Sequence, residues 1–142
     1  MSGYEKLKKS IEELLSFSEE LKENLIAVYL FGSEAEGLAG ATSDVDLAFV
    51  FNEPFYRSEP VGVFNKVEVF SYELGRFIGR CVDPVILNAS SLKFAYHIIK
   101  TGILVYEKDV SSRVVYEIRV ENEYLDFKPF LKELAVLKGN VE

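Results

Sequence analysis

Two short motifs organise this chain: LFGS at residues 30–33 and DVD at residues 44–46. The first motif closes an apolar run, LIAVYLF at 25–31, that is short and rich in β-branched and aromatic residues. Such a run predicts a buried strand, which the glycine ends. The second motif opens a similar run over 45–51 and predicts a second strand. The ten residues between the motifs contain two glycines and predict a tight loop.

The two carboxylates of the second motif are predicted to share one face of a sheet. Asp44 and Asp46 are two positions apart, and side chains in a strand alternate between faces. The apolar residues that alternate with them are expected on the opposite face, in the core: Val45, Leu47, Phe49 and Phe51. Gly32 and Ser33 lie at a strand end and Asp44 at a strand beginning. If they meet at one site, the first two strands are antiparallel neighbours.

A third carboxylate, Asp83, lies near the start of a third predicted strand over 81–87. Pro84 within this run favours an edge strand or a bulge. To bring Asp83 to the same end of the sheet as Asp46, the third strand must run parallel to the second. Three carboxylates at one rim repel each other unless a cation lies among them. Oxygen-only ligands, with no nearby histidine and no thiolate pair, favour Mg²⁺ or Mn²⁺ over zinc.

The remaining segments predict helices around this small sheet. The periodicity favours an amphipathic helix over 3–23, further helices over 63–78 and 91–101, and a fourth strand over 103–106. Ser90 and Ser91 are predicted caps of the third helix, and Gly102 its C-cap. Other expectations are a polar loop over 53–60, a helix over 110–125 and a last helix that Pro129 opens and that runs through Leu137. The expected fold class is α/β (α+β), a mixed sheet flanked by helices, in a single domain over 1–142.

Composition excludes several classes of protein. The 142 residues are 49% apolar, enough for one domain with a core. A net charge of -7 argues against direct nucleic-acid binding. No apolar run is long enough for a membrane span or a signal peptide, so a soluble cytoplasmic protein is expected. The single Cys81 excludes a disulfide framework and is expected to be a small buried hydrophobe.

The segment around the two motifs is acidic, which bears on the substrate. Residues 32–60 hold six acidic side chains and one basic side chain, Arg57. An anionic substrate such as a nucleotide would be repelled there without a metal ion. With a metal ion, a phosphate oxygen becomes a shared ligand, and the backbone amides of Gly32 and Ser33 can hold neighbouring phosphates. Glycine suits this place because no Cβ obstructs the approach of the phosphate.

The motifs resemble a known signature. The spacing from Gly32 and Ser33 to DVD at 44–46 is similar to that of the DNA polymerase β-type nucleotidyltransferase superfamily. The chain length and VDPV at 82–85 resemble its minimal nucleotidyltransferase (MNT) branch. Three further stretches resemble the antitoxin of HEPN/MNT toxin–antitoxin pairs, and they cover 87–89, 99–106 and 124–129.

The resemblance implies a reaction and a role for each residue of the motifs. It implies transfer of AMP from Mg-ATP to a tyrosine hydroxyl of a HEPN ribonuclease, which silences that toxin. Gly32 and Ser33 would bind the triphosphate, and Asp44 and Asp46 would hold both metal ions. Asp83 would complete the second metal site and help to deprotonate the attacking hydroxyl. In such chemistry the ions brace the attacking and leaving oxygens of an in-line displacement.

One position departs from the family pattern. The family usually has Gly-Ser-x-Ala-Arg-Gly, whereas this chain has GSEAEG at 32–37, with Glu36 in place of the phosphate-facing arginine. Either this change weakens ATP binding, or another base takes the place of the arginine, with Arg57 and Lys66 as candidates. The alternatives are a protein that neutralises its partner by binding alone and a small-molecule nucleotidyltransferase. The short chain disfavours the latter, because it leaves little room for a separate acceptor domain.

Other residues have a structural interpretation beside a functional one. Arg76 and Arg80, four apart on one helix, are expected in surface ion pairs, with phosphate or partner binding as the alternative. His97 is expected to be a partly buried structural residue. The helices over 110–138 are a candidate partner-binding region. Their aromatic residues are expected mostly in the core, and three are candidates for a partner-facing patch: Tyr124, Phe127 and Phe130.

Overall fold

A computed structural model of the chain describes residues 3–32 and 44–139. These residues form one four-stranded sheet of order β3-β2-β1-β4. Its strands are β1 (Leu25–Phe31), β2 (Val45–Phe51), β3 (Val82–Ile86) and β4 (Ile103–Glu107). β1 is antiparallel to both β2 and β4, and β2 is parallel to β3. The predicted mixed sheet is therefore confirmed, and Pro84 lies in an edge strand as expected.

Six helices flank the sheet in the described residues. They are α1 (Gly3–Leu15), α2 (Glu19–Asn24), α3 (Glu53–Ser58), α4 (Pro60–Ile78), α5 (Leu92–Thr101) and α6 (Val110–Leu137), with a 3₁₀ turn at Leu87–Ala89. Four of them begin at a capping side chain that accepts a backbone N–H three residues on: Ser18, Asn52, Ser91 and Asp109. None of the helices described is long and apolar enough to cross a membrane.

The core lies on both faces of the sheet. One face of β2 packs against α1 and α4 with the predicted residues Val45, Leu47, Phe49 and Phe51. Ala48 and Val50 point to the other face, where residues of α5 and α6 cover them. The alternation predicted for β2 is confirmed, and because Asp44 and Asp46 have the same parity as Ala48, they belong to the α5–α6 face.

Three predicted elements were wrong in extent. The first helix ends at Leu15, and a separate short helix begins at Glu19. The expected loop over 53–60 contains α3, because Asn52 caps it and Pro54 lies in its first turn, where no backbone N–H is needed. Pro129 does not open a new helix but lies inside α6. Its position is exposed, so water can solvate the carbonyl that loses its partner.

Two single residues also differ from expectation. Cys81, which precedes β3, is exposed rather than buried, and His97, which faces outward on α5, is exposed rather than partly buried. Gly102 is at the C-cap of α5 as predicted, but its φ of -76° is not left-handed. Glycine is required there because a Cβ would lie 2.7 Å from the Ile98 carbonyl oxygen and 3.2 Å from that of Leu30.

A polar network ties β1, β4 and α6 together. The hydroxyl of the buried Tyr29 donates a hydrogen bond of 2.6 Å to the Glu117 carboxylate. Arg113 donates to Glu107 at 2.7 Å and to Glu117 at 3.0 Å. Burial, with the bond to Glu117, raises the pKa of Tyr29, so this phenol keeps its proton. The network fixes the first half of α6 on the sheet.

We predict that Tyr29→Phe lowers the free energy of unfolding by about 1.5–3 kcal/mol, because the charged acceptor Glu117 loses a buried donor. Urea denaturation would measure the change. Tyr72→Phe, which removes the hydroxyl of an exposed side chain, serves as the matched control and should change stability by less than about 0.5 kcal/mol. Equal stability of Tyr29→Phe and the wild type would contradict the prediction.

Candidate functional site

The end of the sheet where β2 and β3 begin carries the predicted carboxylates. Asp46 is the cross-strand neighbour of Phe31 at the end of β1 and of Asp83 in β3. The antiparallel and parallel relations inferred from the motifs therefore bring Asp46 and Asp83 opposite each other on adjacent strands. Asp44 immediately precedes β2 and is exposed, as is Asp83, whereas Asp46 is half-buried. We call these three residues the carboxylate rim.

The backbone conformation at position 32 and the nearby Asp46 side chain both favour glycine there. Gly32 has a φ of 75°, in the left-handed region that favours glycine. A Cβ at this position would lie 2.4 Å from Oδ2 of Asp46, closer than any real contact. The backbone that leaves β1 thus passes directly against the Asp46 carboxylate. Ser33 and Glu36, which the sequence also singled out, lie outside the described residues.

A glycine-rich turn positions the start of β3. The Gly75 carbonyl in α4 accepts hydrogen bonds from the backbone N–H groups of Gly79 and Arg80 at 2.8 and 3.0 Å. Gly79 ends the helix with a φ of 72°. A Cβ on Gly75 would lie 2.6 Å from the Arg80 carbonyl oxygen. From this turn the chain enters β3, and the Cys81 carbonyl accepts the N–H of Val45 at 2.8 Å, which joins the two strands at the rim.

The rim is electrostatically unfavourable for its own carboxylates. Partial burial raises the pKa of Asp46, and the negative charges of Asp83 and Asp44 raise it further. The ionised rim therefore costs folding free energy and would be relieved by a cation.

The donor set fits a magnesium ion. Within residues 3–32 and 44–139, no group of three or more His, Cys, Asp or Glu side chains could hold a metal ion by itself. Mg²⁺ does not need such a cage, because it keeps several waters and binds through one or two carboxylates together with substrate phosphates. Adjacent carboxylates on neighbouring strands are suited to this mode of binding.

The structure accounts for both bases proposed to replace the missing arginine. Arg57 pairs with Glu53 one turn away in α3, at 3.6 Å. Lys66 of α4 forms an ion pair with Glu20 of α2. Both cations are thus engaged with acidic side chains of flanking helices.

Arg76 and Arg80 do not share one helix as predicted, because α4 ends at Ile78 and Gly79 turns the chain before Arg80. Both arginines nevertheless line a cavity beside the start of β3. This cavity has a volume of about 470 Å³, and Arg76, Arg80, Cys81 and Val82 are among its lining residues. A phosphate- or partner-binding role for the arginines stays a prediction.

An aromatic contact next to the rim was missed from the sequence. The rings of Phe31 and Phe94 meet edge to face with their centroids 5.7 Å apart. Phe31 pairs with Asp46 across the strands, so this contact brings the beginning of α5 to the rim. No local signal in the sequence points to Phe94, because its place depends on how α5 packs on the sheet.

Comparison with protein families and solved structures gave consistent matches. The profile of the family described as Polymerase beta, Nucleotidyltransferase matches residues 9–111. No curated protein matches. A toxin–antitoxin structure with AMP-PNP is 17% identical, with a TM-score of 0.58 over 89% of this chain and 97% of that chain. A structure of a tri-AMPylated Shewanella oneidensis HEPN toxin in complex with MNT antitoxin is 12% identical, with a TM-score of 0.51 over 90% and 98%.

A third structure, of the toxin–antitoxin MntA-HepT, is 16% identical and has a TM-score of 0.53. It covers 90% of this chain and 96% of that chain. At these identities the matches establish a shared fold.

We predict that Asp46→Asn and Asp83→Asn each stabilise the metal-free protein at pH 7, by about 0.2–1 kcal/mol, because each removes one of two like charges on adjacent strands. The raised pKa of Asp46 means that the folded state holds this proton more tightly than the unfolded state. The advantage of Asp46→Asn should therefore be complete above the folded pKa and disappear as pH falls through it.

Thermal unfolding in EDTA at pH 7 and at pH 4 would measure this effect. Glu13→Gln, which neutralises an exposed acid of α1, is the control and should show little change at either pH. A loss of stability in both rim variants at pH 7 would show that the carboxylates do not repel each other.

Proposed function

Since the chain belongs to the polymerase beta nucleotidyltransferase family, we propose that it transfers AMP from Mg-ATP to a tyrosine hydroxyl of a HEPN-domain toxin and acts as its antitoxin. The observation that carries this proposal is the cross-strand pairing of Asp46 with Asp83, with Asp44 two residues before Asp46. A pair of adjacent carboxylates suits the binding of magnesium together with nucleotide phosphates.

Each residue has a distinct task in the proposed reaction. Asp44 and Asp46 would hold the Mg²⁺ ions, and Asp83 would complete the second site. When bound, the ions neutralise charge that develops on the phosphate oxygens. Gly32 leaves room for the triphosphate because it has no Cβ, and Ser33 would contribute a backbone amide.

The proposed transfer exchanges one bond at the α-phosphorus of ATP for another and releases the proton of the acceptor hydroxyl. The acceptor oxygen forms a bond to the α-phosphorus of ATP, and the bond from that phosphorus to pyrophosphate breaks. The hydroxyl proton passes to Asp83, whose exposed carboxylate is accessible to an incoming side chain. The product is an AMP–tyrosine ester on the partner.

Two of the matched structures support the choice of nucleotide and partner. One holds AMP-PNP in a toxin–antitoxin complex, and another contains an AMPylated HEPN toxin with an MNT antitoxin. The nucleotide analogue and the toxin belong to those structures. Because the fold is shared, ATP and a HEPN-domain toxin are the first substrates to test on this chain.

A second candidate is a protein that neutralises its partner by binding alone. Glu36 replaces the usual arginine, and both Arg57 and Lys66 are paired with acidic residues. A triphosphate would then meet fewer cations than in a typical member of the resembled family.

We predict that the wild type, with Mg²⁺ and labelled ATP, labels its proposed partner, a HEPN-domain toxin sought in the neighbouring gene. Asp46→Asn and Asp83→Asn should slow this transfer by about 10²-fold or more. Each substitution removes a carboxylate that would hold the metal ions, and those ions stabilise the charge that develops in the transition state. Glu13→Gln neutralises a carboxylate away from the rim, and this variant should transfer at the wild-type rate. Absence of label on the partner with the wild type would reject the proposed reaction.

Calorimetry separates the two candidates. If the chain is an enzyme, Mg-ATP binding should give a measurable heat that EDTA abolishes and that Asp44→Asn reduces. A protein that acts by binding alone would bind the HEPN protein tightly with no heat from Mg-ATP.

A further inference from the structure

The second half of the helix α6, which the structure describes to its end, contributes no buried residue to the domain. The helix has 28 residues, and within it, all of which the structure describes, only Tyr116 and Val120 are buried. Both lie in its first half, on the α5–α6 face of the sheet. The second half carries large exposed apolar side chains, among them Phe127 (43% exposed) and Leu131 (37%). Such residues at regular spacing need a separate explanation.

The exposed Phe127 and Leu131, together with the half-buried Tyr124 and Leu134, continue the buried face of the helix. From Tyr116 and Val120, steps of three and four residues lead to Tyr124 and then to Phe127, Leu131 and Leu134. At about 100° per residue, all six lie within a sector of about 80°. We call Phe127, Leu131 and Leu134 the α6 stripe. An apolar face with this spacing is what a helix presents to a packed neighbour.

The stripe begins beside the carboxylate rim. Helices α5 and α6 are antiparallel, since Lys100 pairs with Glu121 at 3.3 Å and the Tyr96 and Tyr124 rings stack at 4.2 Å. Phe127 therefore lies near the first turn of α5, and Leu92 lines the same cavity as Phe127. That turn also carries Phe94, which contacts Phe31 at the rim. A protein on the stripe would be adjacent to the proposed site.

Charged residues border the stripe on both sides. By the same helical geometry, Lys128 and Lys132 lie along one edge, and Asp126 and Glu133 lie along the other, beyond the exposed Phe130. An apolar face with one basic and one acidic edge is typical of a helix that pairs with another helix in one orientation.

A second copy of this chain does not fit the stripe. In parallel pairing, Tyr116 and Val120 of both copies would face each other, but the body of the domain occupies that place. Antiparallel pairing avoids this clash but places each acidic edge against an acidic edge and each basic edge against a basic edge. The net charge of -7 on each chain adds to the repulsion.

We propose that the α6 stripe docks an amphipathic helix of the acceptor protein and so presents its hydroxyl to the carboxylate rim. The docked helix carries an apolar face, a basic edge opposite Asp126 and Glu133, and an acidic edge opposite Lys128 and Lys132. This inference rests on the proposed function for the identity of the partner.

The test compares two matched double variants in calorimetric binding to the proposed HEPN-domain partner. Leu131→Glu/Leu134→Glu places charges in the stripe and should weaken binding about 30-fold or more. Leu125→Glu/Val136→Glu makes the same change at exposed positions on the opposite side of α6 and should bind within about 3-fold of the wild type. Thermal unfolding checks the fold, and Leu131→Ala/Leu134→Ala replaces the charged variant if that one unfolds.

Three results would overturn the docking surface. They are a wild type that does not bind the HEPN protein, a stripe variant that binds as the wild type does, and equal losses in both double variants. Analytical ultracentrifugation gives a fourth such result. If the wild type sediments as a dimer and the stripe variant as a monomer, the stripe binds a second copy of this chain and the proposal is wrong.

AMP transfer measured in the same samples separates this inference from the proposed function. If the wild type transfers AMP and the stripe variant still binds, the docking surface is wrong and the reaction stands. If nothing is transferred but only the stripe variant loses binding, the docking surface stands and the reaction is wrong. Asp46→Asn/Asp83→Asn should bind the partner with wild-type affinity and transfer no AMP.

Discussion

The register of β2 between its two neighbours determines where the charged groups of this protein lie. β2 pairs with an antiparallel strand on one side and a parallel strand on the other, and this aligns Phe31, Asp46 and Asp83 across the sheet. A slip of one residue would move Asp46 to the face packed by α1 and α4 and bring Val45 to the rim. The buried side chains of β2 on both faces hold the register, so the hydrophobic core specifies the geometry of the acidic site.

That geometry places negatively charged carboxylates close together. Interactions in the rest of the domain offset the folding free energy that this repulsion costs. Asp46 is partly buried beside two other carboxylates, which raises its pKa. Interactions distant from the rim, such as the bond from Tyr29 to Glu117, contribute stability without relieving this repulsion. At neutral pH a cation bound at the rim would relieve this repulsion. A site that destabilises its own empty state in this way gains stability when its ligand binds.

Much of the fold could be predicted because its signals are local. The runs at 25–31 and 45–51 predicted the bounds of β1 and β2. The strand directions followed from the place of Gly32 at a strand end and of Asp44 and Asp83 at strand beginnings, on the condition that these residues meet at one site. What failed depends on competing or distant interactions. Asn52 caps a helix in an expected loop, exposure lets α6 continue through Pro129, and Phe94 reaches the rim only through the packing of α5. Which ligands the carboxylates hold stays a prediction.

The turn at the end of α4 constrains the position of Asp83, although it contains none of the rim carboxylates. Gly75 lies eight residues before Asp83, on a helix that packs against the opposite face of the sheet. Yet a methyl group there would press on the Arg80 carbonyl and displace the chain that enters β3. Because Asp83 is aligned by that entry, alanine at position 75 could misalign the carboxylates while leaving every one of them in place.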